Sequence, residues 1–353
     1  MSINFSTLKK LTIPEGVVKQ ITDASGRVLW SASKPIVLTV EKITNNTYAG
    51  ETLYENEQFI LLDIYPKTNG TVKVTYGGLT KTITDTSGAE APNAQKVYFG
   101  TFNGVSDSVA TPSGGTLTIE GDYENFACGG YASSSKTYSL NYCGCITGVQ
   151  EWGDITNINY GAFRSCTKLS LSSIPSHINN IGDYAFYECS NLALTSLPSS
   201  LTSINTYTFY KCSNLALSSI PSGITSIGSY AFYRCESLQY NDNFFSEGLE
   251  SIDEAAFYYA NDGYSFKHDI TIPETVTSIG KNAFAGYSEK SGDYTYFKRV
   301  MVLPKTPPTA PELFFGEYAQ GFGFKIVVPK GCVEIYKATN GWKNYSSVIE
   351  EAS

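Results

Sequence analysis

Histidine and methionine are almost missing from this chain, with two of each among 353 residues, and most proton-transfer chemistry at neutral pH leans on the first of them. Basic residues are also scarce: 25 Lys and Arg stand against 33 Asp and Glu, a formal charge of -8. No basic cluster could follow a phosphate backbone, so nucleic acid is not an expected partner. Nor is there a run of about 18 or more apolar residues, so membrane insertion is not expected. The opening MSINFSTLKKLTIPEG lacks the continuous apolar segment of a secretory signal. G-x-S-x-G, H-E-x-x-H and phosphate-loop patterns are missing too. With no nucleophile and base to pair, the chain reads as non-enzymatic, and no cofactor is implied.

Tyrosine (26) and phenylalanine (19) are abundant, which suits a β-rich, turn-rich protein. Residues 1–33 hold two short apolar stretches, LTI and RVLW, divided by turn residues and followed by SASKP; they read as an N-terminal β element and linker. From residue 34 to 127 short β runs alternate with turns: PIVLTVEKI, QFILLDIY, TVKVTYGGLTKTIT, KVYFGTF and TLTIE. In the third, Gly77-Gly78 supplies the positive φ angles of a tight hairpin. The expected unit is an immunoglobulin-like β-sandwich.

Past that point the chain repeats itself. GDYAFYECSNL returns as NTYTFYKCSNL and GSYAFYRCESL, with phenylalanines at 163, 186, 209 and 232 in steps of 23, then at 257 and 284. Cys166, Cys189, Cys212 and Cys235 keep the same step, and Cys143 lies 23 before the first. Each Pro (175, 198, 221, 273) precedes the next Phe by 11 residues. The other half of the unit swells after Phe257 and Phe284, where insertions break the rule. Spaced leucines at this period mark a solenoid whose single units cannot bury their own apolar face.

The units IGDYAFYECSNLALTSLPSSLTSI and INTYTFYKCSNLALSSIPSGITSI, with the ending KIVVPKGCVEIYKATNGWKNYSSVIEE, resemble the leucine-rich repeats of the BspA-like type over residues 136–351. The resemblance implies a right-handed solenoid used for binding, in some members for adhesion to host proteins or cells, with no catalytic residues to carry over. The opening FSTLKKLTIPEGVVKQITDASGRVLW also resembles N-terminal pieces of prophage-encoded structural proteins of Firmicutes. The expected fold is therefore mainly β and modular: β element, immunoglobulin-like sandwich, then leucine-rich-repeat solenoid with two short strands and a helical turn per unit. The expected function is recognition of a cell-surface protein or glycan, extracellular or virion-associated, with a structural role in a phage particle as the alternative. A homo-oligomer is left open.

Among residues that could carry chemistry, the ladder cysteines read as small buried thiols before disulfide partners or metal ligands, since C-x-C at 143–145 is the one close pair and no His is near it. His177 and His268 read as loop residues, and Glu247, Glu250, Asp253 and Glu254 as a solvated face. Tyrosine stands two before and one after each Phe: Tyr184 and Tyr187, Tyr207 and Tyr210, Tyr230 and Tyr233. These are expected to form two columns on the outside corner, as binding surface or as filler between units. The insertions add Tyr264, Phe266, Tyr294 and Tyr296, along with Tyr258, Tyr259, Tyr287 and Phe297, as a second recognition edge.

Overall fold

A computed structural model describes residues 145–260 without interruption, 268–353 apart from 289–291, 296, 312, 313 and 317–323, and the strands and turns between 20 and 128 that are named below. The LTI stretch and Cys143 lie outside the described residues.

In the N-terminal part, Gln20–Thr22 and Val28–Ser31 pair antiparallel. Beyond them the alternating sequences build two antiparallel sheets. One runs in the order Ile146–Trp152, Ile36–Lys42, Ser113–Gly121, Thr71–Tyr76, Leu79–Thr84. The other runs Val105–Ser106, Gln95–Phe102, Phe59–Pro66, Tyr123–Cys128. Val72, Val74 and Tyr76 are buried and their neighbours are not, the period-2 pattern of a sheet with one wet face. Gly77 and Gly78 take φ of 58° and 81° and close the hairpin from Tyr76 to Leu79, as the loop chemistry requires. Ile36, Leu38, Leu117 and Ile119 of the first sheet share one apolar cluster with Ile64, Val97 and Phe126 of the second. Ile146–Trp152, inside the span 136–351 that resembles the repeats, pairs along Ile36–Lys42 of the first sheet.

The solenoid follows. Asn157–Ile158 pairs in parallel with Asn180–Ile181, and Ser203–Ile204, Ser226–Ile227, Ser251–Ile252 and Ser278–Ile279 form a parallel ladder. The isoleucines turn inward and are buried. Each Pro opens a turn in which its carbonyl accepts the N–H three residues on, as in Ile178 to Pro175, Leu201 to Pro198 and Ile224 to Pro221.

The corner that carries the phenylalanine is no helical turn. Around Phe186, the N–H groups of Tyr184, Phe186 and Glu188 donate forward to the carbonyls of Thr206, Thr208 and Tyr210 in the next unit. The N–H groups of Ala185, Tyr187 and Cys189 donate locally, to Gly182, Tyr184 and Phe186. Alternate residues thus serve the stack and the turn, which needs left-handed backbone at two points per unit: φ is 57° at Tyr184 and 59° at Glu188. A continuous α-helical turn would use every N–H locally and leave the units unbonded at this edge.

The second strand of each unit is also absent in the regular copies. The Leu-x-Leu arm makes isolated bonds, such as Ala216 N–H to the Leu194 carbonyl and Gln239 N–H to that of Leu217. A parallel sheet forms on this side only from residue 268, in the order His268–Ile272, Phe297–Val302, Lys325–Val328, Ile349–Glu351. There β-branched residues replace the serines and alanines of the earlier arms, and they suit a pleated, half-buried surface. His268 consequently heads a strand and does not sit in a loop. Phe297 is buried against Tyr240 and Phe284, at 5.3 and 5.9 Å between ring centroids, so it belongs to the core and not to the recognition edge.

Through the middle runs a column of parallel rings. Phe163, Phe186, Phe209, Phe232, Phe257 and Phe284 stack at 5.1–5.7 Å with interplanar angles of 2–15°. Phe315 adds a further ring at 5.6 Å. Phe126 and Trp152 stand edge-on to the first ring. The last is closed by a short helix, Val333–Ala338, and a 3-10 turn, Trp342–Tyr345. There the Trp342 indole N–H donates to the Pro308 carbonyl, the Tyr336 hydroxyl donates to that of Pro304, and the Phe315 N–H donates to the Tyr345 hydroxyl.

Candidate functional site

With Phe inward, the residues two before and one after it turn to the outside of the corner. Tyr184, Tyr207 and Tyr230 stack at 4.7 and 4.8 Å, and Tyr187, Tyr210 and Tyr233 at 4.6 Å, all within 14° of parallel. The two columns touch each other, with Tyr184–Tyr187, Tyr207–Tyr210 and Tyr230–Tyr233 at 5.5–5.8 Å. All six rings are half-buried. Their faces are covered by one another along the column, so what they present outward is ring edge and hydroxyl.

Three of these tyrosines stand where the backbone least wants them. Tyr184, Tyr207 and Tyr230 all have φ near 57°, a region that a bulky residue rarely enters and that costs about 1–3 kcal/mol per residue. The same position is Gly161 in the first unit and Asn282 in the sixth, the residue types that left-handed backbone favours. Stacking returns roughly 0.5–1.5 kcal/mol per aromatic pair, enough to hold the rings but not a reason to prefer them over glycine.

Two charged borders flank the double column. Three residues before each Phe stand Asp183, Thr206, Ser229 and Glu254; two after stand Glu188, Lys211, Arg234 and Tyr259. The Lys211 ammonium lies 2.8 Å from Glu188 and 5.3 Å from the Tyr210 ring, and that carboxylate holds it above its ordinary pKa. The Arg234 guanidinium lies 5.9 and 4.9 Å from the rings of Tyr233 and Tyr259. Arg164 covers the first end, 4.9 Å from Tyr187 and 5.5 Å from Tyr184, with its Nε buried and without a hydrogen-bond partner. On the acidic border, the Tyr230 hydroxyl donates to Glu254 at 3.4 Å and the Thr206 N–H to Asp183 at 3.0 Å. Burial raises the pKa of Tyr207, Tyr210 and Tyr230, with neighbouring phenols and Glu254 adding to the effect at Tyr207 and Tyr230.

One pair that the sequence assigns to the insertions belongs to the corner. Tyr258 is a fourth rung, 5.4 Å from Tyr233 and 4° from parallel, and Tyr259 lies beneath Arg234. Counting from Phe257 as from the earlier phenylalanines places Tyr258 in the column; the longer spacing to the next unit hides it among the insertion residues. Of the second edge, Tyr264, Phe266 and Tyr296 lie outside the described residues. Tyr294 is in Gly292–Thr295, which forms a hairpin with Ala285–Ser288.

The remaining candidates hold no joint geometry. Cys166, Cys189, Cys212 and Cys235 are reduced and lie at 0% exposure. The Sγ–H of Cys189, Cys212 and Cys235 donates at 3.0 Å to the carbonyl of Phe163, Phe186 and Phe209, 26 residues back in each case. Burial pushes the thiols of Cys212 and Cys235 well up, away from the thiolate that redox or metal chemistry needs. His177, Glu247, Glu250, Asp253 and Glu254 are exposed. Among the described residues no three His, Cys, Asp or Glu gather as a metal site.

The BspA type leucine rich repeat region matches residues 134–262 and 259–292, in 6 copies. The chain is similar to a leucine rich cell surface protein from Faecalibacterium prausnitzii A2-165, at 18% identity over 56% of this chain and 77% of that one, with a TM-score of 0.30. It is also similar to a leucine-rich repeat protein from Bacteroides ovatus ATCC 8483, at 19% identity over 58% and 70% of the two chains, with a TM-score of 0.29. No curated protein matches.

Proposed function

We propose that this chain, whose residues 134–292 match the BspA type leucine rich repeat region, is a non-enzymatic binding and adhesion protein that recognises a cell-surface ligand through the tyrosine corner and the insertions that follow Phe257 and Phe284 in the sequence. The observation that carries this reading is the placement of Tyr184, Tyr207 and Tyr230 on left-handed backbone, against local preference and without need of the stack. The turn requires the left-handed backbone but not a bulky side chain on it, and a strained residue kept where glycine would serve points to use. Tyrosine offers wide amphipathic contact at low entropic cost, the usual material of binding surfaces. Because the ring faces are covered by one another, and those at the first end by Arg164, little face is left for stacking on a sugar ring; edges and hydroxyls suit a protein ligand better. An extracellular setting fits such a role, and one of the similar structures is described as a cell surface protein. Among the described residues no helix is long and apolar enough to cross a membrane. We keep the immunoglobulin-like assignment of residues 34–127 as part of this proposal, with the two sheets serving as the stem that presents the solenoid.

The test is capture of the purified chain on intact cells and on arrays of glycans and extracellular proteins. Tyr264→Ser and Tyr296→Ser are compared with the unaltered protein to locate the contribution of the insertions. Saturable capture is expected, weakened by the loop substitutions while the melting temperature holds. No capture on any surface would overturn the reading.

A further inference from the structure

We infer that the tyrosine corner docks against the same corner of a second copy of this chain, with the two solenoid axes parallel. This rests on the reading of the corner as a binding surface and gives that surface a second occupant, which a cell-surface ligand would displace. Three observations lead to it.

The first is pitch. The ring edges repeat at 4.6–4.8 Å over consecutive units, so a partner meets every rung in the same way only if its own groups repeat at that spacing. A second copy does so by construction. The second is that the strained tyrosines occupy only the central units, with Gly161 before them and Ala255 and Asn282 after. The ladder therefore has a defined length, as a self-complementary patch must.

The third observation, charge, chooses the partner's orientation. The border before the ladder carries Asp183 and Glu254, both exposed; the border after it carries exposed Arg234 with half-buried Lys211 and Glu188. A two-fold axis in the contact plane and parallel to the ladder lays one border of each copy on the other border of its partner. Arg234 then faces the partner's Ser229, one unit step of about 4.8 Å from the partner's Glu254, and Lys211 faces the partner's Thr206, one step from the partner's Asp183. Both steps are within reach of long side chains. The perpendicular two-fold sets each border on itself and, with the four rungs matched, brings Lys211 onto the partner's Arg234 and Asp183 onto the partner's Glu254. One like-charge meeting remains in the parallel arrangement, Glu188 with the partner's Asp183, and Lys211 at 2.8 Å already offsets that carboxylate. An isologous contact of this kind closes on itself and does not run on into fibres. Its few rings and exposed charges make it weak, and the net charge of -8 on each copy opposes it at low ionic strength.

Charge reversal tests this directly, by sedimentation of the full chain over a concentration series. Arg234 and Glu254 are exposed, and melting curves check that each variant folds. Two-fold symmetry makes each substitution act twice, so Arg234→Glu and Glu254→Arg should each weaken association about tenfold or more, and the double exchange should restore it. A chain that stays monomeric at millimolar concentration overturns the inference, as does association indifferent to either single reversal. Loss in both single variants without recovery in the double overturns the parallel pairing. Cell capture that persists in a purely monomeric protein would remove the dimer and leave the adhesion reading in place. A dimer that follows the charge exchange, in a protein that captures no cell, would keep the dimer and remove adhesion.

Discussion

Phe126 stands edge-on to Phe163, with ring centroids 5.5 Å apart and planes at 84°. The first ring comes from the N-terminal sheets and the second opens the phenylalanine column, so the sheets cap the repeat core. A repeat array needs a cap at each end because its terminal unit would otherwise expose the face that stacking buries.

Phe126→Ala should therefore destabilise the chain by about 3–5 kcal/mol, and the sheets and the solenoid should lose stability together. Denaturant unfolding followed by separate probes for the two parts checks this. A loss confined to the sheets would contradict the capping role.

Tyr207→Gly should leave stability nearly unchanged. It removes two stacked neighbours, roughly 0.5–1.5 kcal/mol per pair, and relieves left-handed backbone of about 1–3 kcal/mol. A melting shift equivalent to more than about 2 kcal/mol in the destabilising direction would make the column a structural device.

Cys166, Cys189, Cys212 and Cys235 should resist a thiol reagent until denaturant is added, while the half-buried Cys332 reacts in the native protein. Cys212→Ala should cost about 1–3 kcal/mol, because it leaves a small void and removes the S–H bond to Phe186. Peptide mapping would contradict this account by finding any two of the four joined in a disulfide.

Alkaline pH should weaken the fold. The raised phenols of Tyr207, Tyr210, Tyr230, Tyr240, Tyr336 and Tyr345 contribute stability fully present below the ordinary tyrosine pKa of about 10. Above it, these phenols ionise in the unfolded chain before they do in the folded one, so stability falls as pH rises toward the folded values. Ultraviolet titration of phenolate, alongside melting temperatures, measures both; a fully normal titration would remove the effect.

Much of this was legible in the sequence because a repeat states its rule several times. The Phe186 and Leu192 core positions, the buried Cys189 and the paired tyrosines follow from spacing alone. The corner conformation did not, because residues three apart share a side both on a helix and in the turn that Tyr184 and Glu188 make with positive φ. Nor did spacing show that the ladder N–H groups alternate between turn and stack. His268 and Phe297 were read as loop because the longer spacing there marks an insertion, whereas the added residues bring β-branched strands that form a sheet the shorter units lack. The Phe126–Phe163 contact joins a residue of the N-terminal sheets to the first regular repeat, and no periodic signal in the sequence records it.

The most direct measurement is capture of the chain on intact cells after the ladder is removed with the backbone left at ease, by Tyr207→Gly, Tyr210→Ser and Tyr230→Gly together. Loss of capture with the unfolding transition close to that of the unaltered protein is the expected result. Undiminished capture by the folded variant would contradict the assignment of recognition to this corner.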